Sequence, residues 1–338
     1  MSDPGRDAPP DPPSPQAVPW AESESGSPRV VGVELEMGGI ELEEIGLRIR
    51  ARAGGELDRI SDYELRIRGT RVGDVRVELD ASLFRDLKVK GFLKRLHLEE
   101  IDPDMADSFE RTMATEARRF VPYEVVFDPV EIARLPELDE IAAGFADCAE
   151  GTGRALTNAF GLHLNPELPR IDADTVVAYL RAFLCLYEEL KAAHRVDTSR
   201  ALSPFIDPFS KAYTRRVMAA DYRPGVEQLI DDYAAENPTR NRPLDLLPAL
   251  SWMDEARVAR LLPEEKIGRR PALHYRLPDC RIDEPGWTIT GQWNIWARVE
   301  QLAADDKALA RACELWLKNA RGPWRRLSDW LSETVEKE

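Results

Sequence analysis

The chain has 338 residues, 43% apolar and 8% aromatic, with 61 acidic against 46 basic side chains and a net charge of −15. That composition supports one elaborate domain or two. The acidic balance, without any dense Lys/Arg block, argues against a duplex nucleic-acid binder, whose affinity rests on neutralising phosphates.

Residues 1–28 hold eight prolines among Asp, Ser, Glu and Gly, which predicts a disordered arm. No hydrophobic leader opens the chain and no apolar run approaches the roughly 20 residues of a membrane helix. The next stretch, VVGVELEMGG, alternates apolar and acidic positions, so Glu34 and Glu36 share one face of a strand while Val33, Leu35 and Met37 take the other. On its own this reads more simply as a half-solvated antiparallel strand. Leu42, Ile45 and Ile49 then recur at helical spacing up to Gly54-Gly55, a helix stop.

Residues 63–80, YELRIRGTRVGDVRVELD, alternate on both sides of a glycine-flanked turn and predict a hairpin. A helix is expected over 104–120, a strand over Tyr123–Phe127, a helix over Leu138–Ala149 entered through Pro136, and a strand over Phe160–Asn165. Asp174–Ala193 is strongly periodic helix, 208–262 is helical but broken by prolines, and Ala272–Leu277 is a last short strand. Three tryptophan-rich helices close the sequence. Four separated cysteines, Cys148, Cys185, Cys280 and Cys313, form no metal or redox motif, so reduced thiols and a cytoplasmic setting are expected, with neither nucleic acid nor membrane as partner. Short strands between helices of varied length, with no Gly-rich phosphate loop, predict an α+β fold around a mixed or antiparallel sheet.

Polar residues at alternate positions recur in strand after strand. Glu78 and Asp80 flank Leu79, Glu124 interrupts an apolar strand, His163 and Asn165 share a face, and so do His274 and Arg276. One such strand means a wet face. Several in one sheet point to an active-site face whose carboxylates, His and Asn suit Mg²⁺ or Mn²⁺ and whose Arg offers a planar fork to phosphate or carboxylate. Lys211, Arg215 and Arg216 form a basic helix face within reach of phosphates if that helix lines the site; a solvated face is the simpler reading.

VGVELEM, VELDAS, YEVV, GLHLN and ALHYR, in that order, resemble the successive motifs of the amidoligases, relatives of glutamine synthetase and glutamate–cysteine ligase. The resemblance spans roughly residues 29–302 and is most specific in the ExE and GxHxN strands. It implies a glutamine-synthetase-like catalytic domain (29–304) followed by a helical extension (305–338). It further implies an ATP- and Mg²⁺-dependent (or Mn²⁺-dependent) carboxylate–amine ligase working through an acyl phosphate. By position, Glu34, Glu36 and Glu124 become metal ligands. Asp80, Glu124 and Arg276 become catalytic residues. His163, Asn165 and His274 become the nucleotide-binding set, to which the basic helix face would add Arg216. An acid and an amine, small molecule or peptide, are the implied substrates, with an ATP-grasp enzyme as a companion. Two positions depart from the pattern: His274 stands where the last strand usually carries glutamate, and Asn165 where a second histidine is frequent. A metal-dependent hydrolase and a non-catalytic subunit derived from a ligase are the competing expectations.

Overall fold

In the computed structural model, which describes residues 13–79, 122–153, 159–201 and 204–319, VVGVELEM forms β1 (Val30–Met37) near the middle of an eight-stranded sheet. The other strands are β2 (Glu56–Ser61), β3 (Glu64–Thr70), β4 (Gly73–Leu79), β5 (Tyr123–Glu131), β6 (Leu162–Pro166), β7 (Leu244–Asp245) and β8 (His274–Tyr275). Their order is β2-β3-β4-β5-β1-β6-β8-β7, and every neighbouring pair runs antiparallel. The α+β expectation therefore holds, with the sheet antiparallel throughout.

Register turns the alternation into two chemically distinct surfaces. Leu65, Val77, Val125, Leu35 and Leu162 stand opposite one another in a row across five strands; Ile67, Val75, Phe127, Val33, Leu164, Tyr275 and Leu244 form the next row on the same face. All of these are buried. On the opposite face the rows read Glu64, Glu78, Glu124, Glu36 and then Arg66, Arg76, Val126, Glu34, His163. A slip of one residue in any strand would carry its carboxylates into the core, so the apolar rows fix where the polar ones stand.

Helices cover the apolar face. α1 (Leu42–Ala53) lies on the hairpin, ended by Gly54 at φ 75°, and α2 (Leu135–Ala142) carries Pro136 in its first turn and is earlier and shorter than the spacing predicts. α3 (Ala173–Ala193), capped by Asp172 on the Thr175 amide, and α9 (Ile289–Ala304), capped by Thr288, bring Phe183 and Trp296 onto Tyr275 of the sheet. α4 (Thr198–Ala201), α5 (Lys211–Met218), α6 (Val226–Glu236), α7 (Leu247–Met253), α8 (Glu255–Leu261) and α10 (Asp306–Asn319) complete ten helices among the described residues. None of the helices is long and apolar enough to cross a membrane. All four cysteines are free thiols.

Residues 13–28 depart from the disorder expected of the arm. Val18 is buried, the Gln16 amide donates to Asn294 Oδ1 at 2.6 Å, and Trp20 lies against Tyr179. One valine and one tryptophan anchor a segment whose prolines reduce the entropy lost on docking. The anchoring continues in Arg29, fully buried, which holds both oxygens of Glu300 on α9 at 2.9 Å. It also donates to the Trp20 and Glu167 carbonyls. Glu300 further accepts from Trp296 Nε1 at 2.9 Å and from the Tyr179 hydroxyl.

His194, just past α3, makes a pH prediction. Nδ1 lies 2.7 Å from Gln292 Oε1 and Nε2 lies 2.6 Å from the Tyr275 hydroxyl, so one neutral tautomer serves both partners. Burial pushes its pKa from 6.5 down to about 4. The unfolded chain takes this proton near 6.5, so the stabilisation is complete above that pH and drains away as pH falls toward 4. Between pH near 7.5 and pH near 4.5 the cost is about 2–3 kcal/mol. Urea midpoints at the two pH values should therefore separate less for His194→Gln than for the unmodified protein; equal separations would exclude His194 as the group responsible.

Candidate functional site

β1 contributes two carboxylates to the polar face, and β6 answers with His163 directly opposite Glu34. His163 Nδ1 lies 3.2 Å from Glu34 Oε2 and 3.8 Å from Glu124 Oε1, while its Nε2 lies 3.3 Å from Glu36 Oε1. One imidazole thus stands among three carboxylates from two adjoining strands. On its far side His274 meets it edge-on, ring centroids 5.0 Å apart, with Nε2 3.7 Å from Glu34 Oε2.

Two overlapping groups result: Glu34, His163 and His274, and Glu36, Glu124 and His163. In each, ligand-type atoms lie within 4.8 Å of one another. His163 Nε2 and both His274 nitrogens are buried and have no hydrogen-bond partner among the described residues. Buried polar atoms ordinarily find partners, and imidazole nitrogens beside carboxylates are the donor set of a divalent cation. The residues fit such an ion.

The protonation pattern agrees. Burial pushes His274 down to about 4, which leaves the ring neutral, the form that binds metals. Burial also works against ionisation of Glu34, but the His163 and His274 imidazoles outweigh it and hold the carboxyl well below the usual range.

Around these groups lies a ring of orienting contacts, most of them not foreseen from the sequence. Asn165 Nδ2 donates to Glu34 Oε1 at 2.8 Å, and Arg270 donates to Asn165 Oδ1 while standing 3.7 Å from Glu34. Asp245 on β7, fully buried, places Oδ2 3.5 Å from His274 Nδ1. The carboxylate that the last strand lacks is thus supplied one strand further on, behind the imidazole, the arrangement that fixes a ligating histidine. The Gly161 amide donates to Glu36 Oε2 at 2.5 Å. A Cβ at Gly161 would lie 2.4 Å from Arg200 Nη2 and 2.7 Å from His163 Nε2, so the glycine of GxHxN makes room for both. Arg200, on the four-residue α4, is buried with Nη1 3.7 Å from Glu36 and Nε 3.6 Å from Asp279. It also donates to the Arg276 carbonyl at 2.7 Å.

Of the residues expected from the sequence, Glu34, Glu36, Glu124, His163, Asn165 and His274 come together. Arg276 is buried beside them, its guanidinium 3.4 Å from the Arg240 carbonyl and near enough to His274 to oppose its protonation. Arg216 does not join them. It pairs with Asp232 of α6 at 2.8 Å and lies over the Tyr222 ring, because the acidic side chain on the adjoining helix, not a phosphate, faces it. Asp80 lies outside the described residues. Sequence spacing missed Asp245, Arg200 and Arg270, which sit on a two-residue strand, a one-turn helix and a loop. The available signal was indirect: Asp245 interrupts an apolar run, PLDLLPAL.

A family model described as "Putative amidoligase enzyme" matches residues 27–298. No curated protein and no solved structure matches the chain.

Proposed function

The chain belongs to the amidoligase family and is a ligase-type enzyme, and from that premise we propose that it joins a carboxylic acid to an amine at the expense of ATP. The observation that carries this reading is the convergence of Glu34, Glu36, Glu124, His163 and His274 with buried, unpartnered imidazole nitrogens. These side chains would hold one or two divalent cations, Mg²⁺ or Mn²⁺. Bound there, the cations would offset phosphate charge and so favour phosphoryl transfer.

The chain's own groups then divide the work. A carboxylate resists amines until one oxygen becomes a leaving group, so the acid's oxygen attacks the γ-phosphorus and ADP departs. The amine next attacks the acyl carbon, phosphate leaves, and one proton must go to a base. Glu124, at the half-buried edge of the cluster, is the assigned acceptor, with Asp80 as the other candidate. Arg276 orients the phosphate or the substrate carboxylate, helped by the neighbouring charge of Arg200. Asn165 and Asp245 keep Glu34 and His274 in position.

The test is ADP release with Mg²⁺ across pools of carboxylic acids, using hydroxylamine as the amine, so that an acyl phosphate is read out as a hydroxamate. Acid-dependent ADP and hydroxamate in equal amounts are expected. Cleavage of an ester or amide without ADP would make the protein a hydrolase instead.

A further inference from the structure

Along the sheet from Glu34, a cleft of about 450 Å³ runs past Val126 to the hairpin, lined by Arg66 and Arg76 at one end and by Asn165 and Arg270 at the other. Arg66 and Arg76 stand directly opposite each other on β3 and β4, in the same row as Val126, Glu34 and His163. Two like charges at opposed positions repel. Among the described residues, the ion pairs within reach are Arg66 with Glu64 at 3.5 Å and Arg76 with Glu78 at 3.2 Å, each along its own strand. Arg76 Nε is buried with no hydrogen-bond partner among those residues. The acids sharing that end of the cleft are engaged by the backbone: Asp74 accepts from the Gly69 amide at 2.9 Å and Asp128 from the Asp74 amide at 2.7 Å. The two guanidiniums thus stand side by side at one end of a cleft that leads to the reacting centre, each paired with a glutamate of its own strand.

We propose that Arg66 and Arg76 form an oxyanion subsite that grips a carboxylate or phosphate of the ligand whose reacting end lies at Glu34. Two neighbouring guanidiniums bind such a group by parallel hydrogen bonds and lose their mutual repulsion in doing so. β4 is two strands from β1, so the gripped group sits about 10 Å across the sheet from Glu34, with apolar Val126 beneath the span. The identity of that ligand rests on the ligase reading: it is either the polyphosphate of the nucleotide or a second acid group on the substrate. The geometry of the subsite does not depend on that reading.

The two sources separate in melting curves recorded without divalent metal. Inorganic tripolyphosphate is the probe for the first, and glutarate, with butyrate as its singly charged counterpart, for the second. A rise in Tm with either tripolyphosphate or glutarate, lost in the Arg66→Gln/Arg76→Gln double variant and kept in Arg68→Gln, is expected. Arg68 lies on the same strand face but pairs with Asp58 at 3.0 Å. Both replaced side chains are half-exposed, so the double variant should fold. A response to tripolyphosphate alone assigns the subsite to nucleotide; a response to glutarate and not butyrate assigns it to a two-headed acid, and the double variant should then weaken binding about tenfold or more. Absence of any response, or an undiminished response in the double variant, overturns the subsite. Glu34→Gln in the same metal-free assay should keep the response, so failure of the ligase reading would show separately, as missing ADP release.

Discussion

On the proposed ligase function Mg²⁺-ATP should raise the Tm of the unmodified protein, and Glu34→Gln and Glu36→Gln are each expected to remove that rise and to lower amide formation by roughly a hundredfold or more. Glutamine keeps the volume and one acceptor oxygen but removes a full ligand charge. The loss falls where charge is densest: Glu34, Glu36 and Glu124 all lie within 4 Å of His163. Without a cation those carboxylates repel one another, so neutralising one should leave the metal-free protein about as stable as before. The hydrogen bonds from Asn165 to Glu34 and from the Gly161 amide to Glu36 can each persist with an amide oxygen. Melting curves with and without Mg²⁺-ATP decide the matter. If both variants keep the whole nucleotide-induced shift, the ligand assignment fails.

The largest loss of stability is expected on Glu300→Ala. Glu300 is fully buried and accepts from Arg29, Trp296 and Tyr179. Its removal strands the Arg29 guanidinium in the interior, which costs about 3–5 kcal/mol. For a chain of this size that corresponds to a fall in Tm on the order of 10 °C. Arg29→Met combined with Glu300→Leu should recover much of the loss, since two apolar groups of similar volume leave no charge uncompensated. A single variant that melts with the parent would mean that water reaches Arg29 and relieves it.

How much of this was legible follows from range. β1, β3, β4, α1 and α3 carry their period within themselves, and the spacing of Val33, Leu35 and Met37 or of Val177, Leu180 and Leu184 is enough to place them. β2 was not foreseen, because an exposed edge strand reading ELDRIS has no buried face to alternate against. β7 was missed because two residues between prolines hold no period at all. The same limit governs the site. Glu34, Glu36, His163 and His274 were visible as polar residues on strands, but that Asp245 stands behind His274 depends on β7 pairing with β8. Arg216 failed for the converse reason: a basic helix face says nothing about its neighbour, which here carries Asp232.

The strand order has a consequence for how the chain is made. β1 pairs with β5 and β6, and Glu34 finds its last partner in His274, 274 − 34 = 240 residues later. At about 5–20 residues per second, a ribosome needs roughly 10–50 s to cover that distance. For the first part of that interval, until β5 and β6 have been made, β1 has both edges open, with apolar side chains such as Val33, Leu35 and Met37 still unpacked. An unpaired apolar edge is what intermolecular strand pairing requires, and charges within the strand discourage it. The two glutamates proposed to hold a cation in the finished protein therefore also supply the charge that discourages such pairing in the nascent strand.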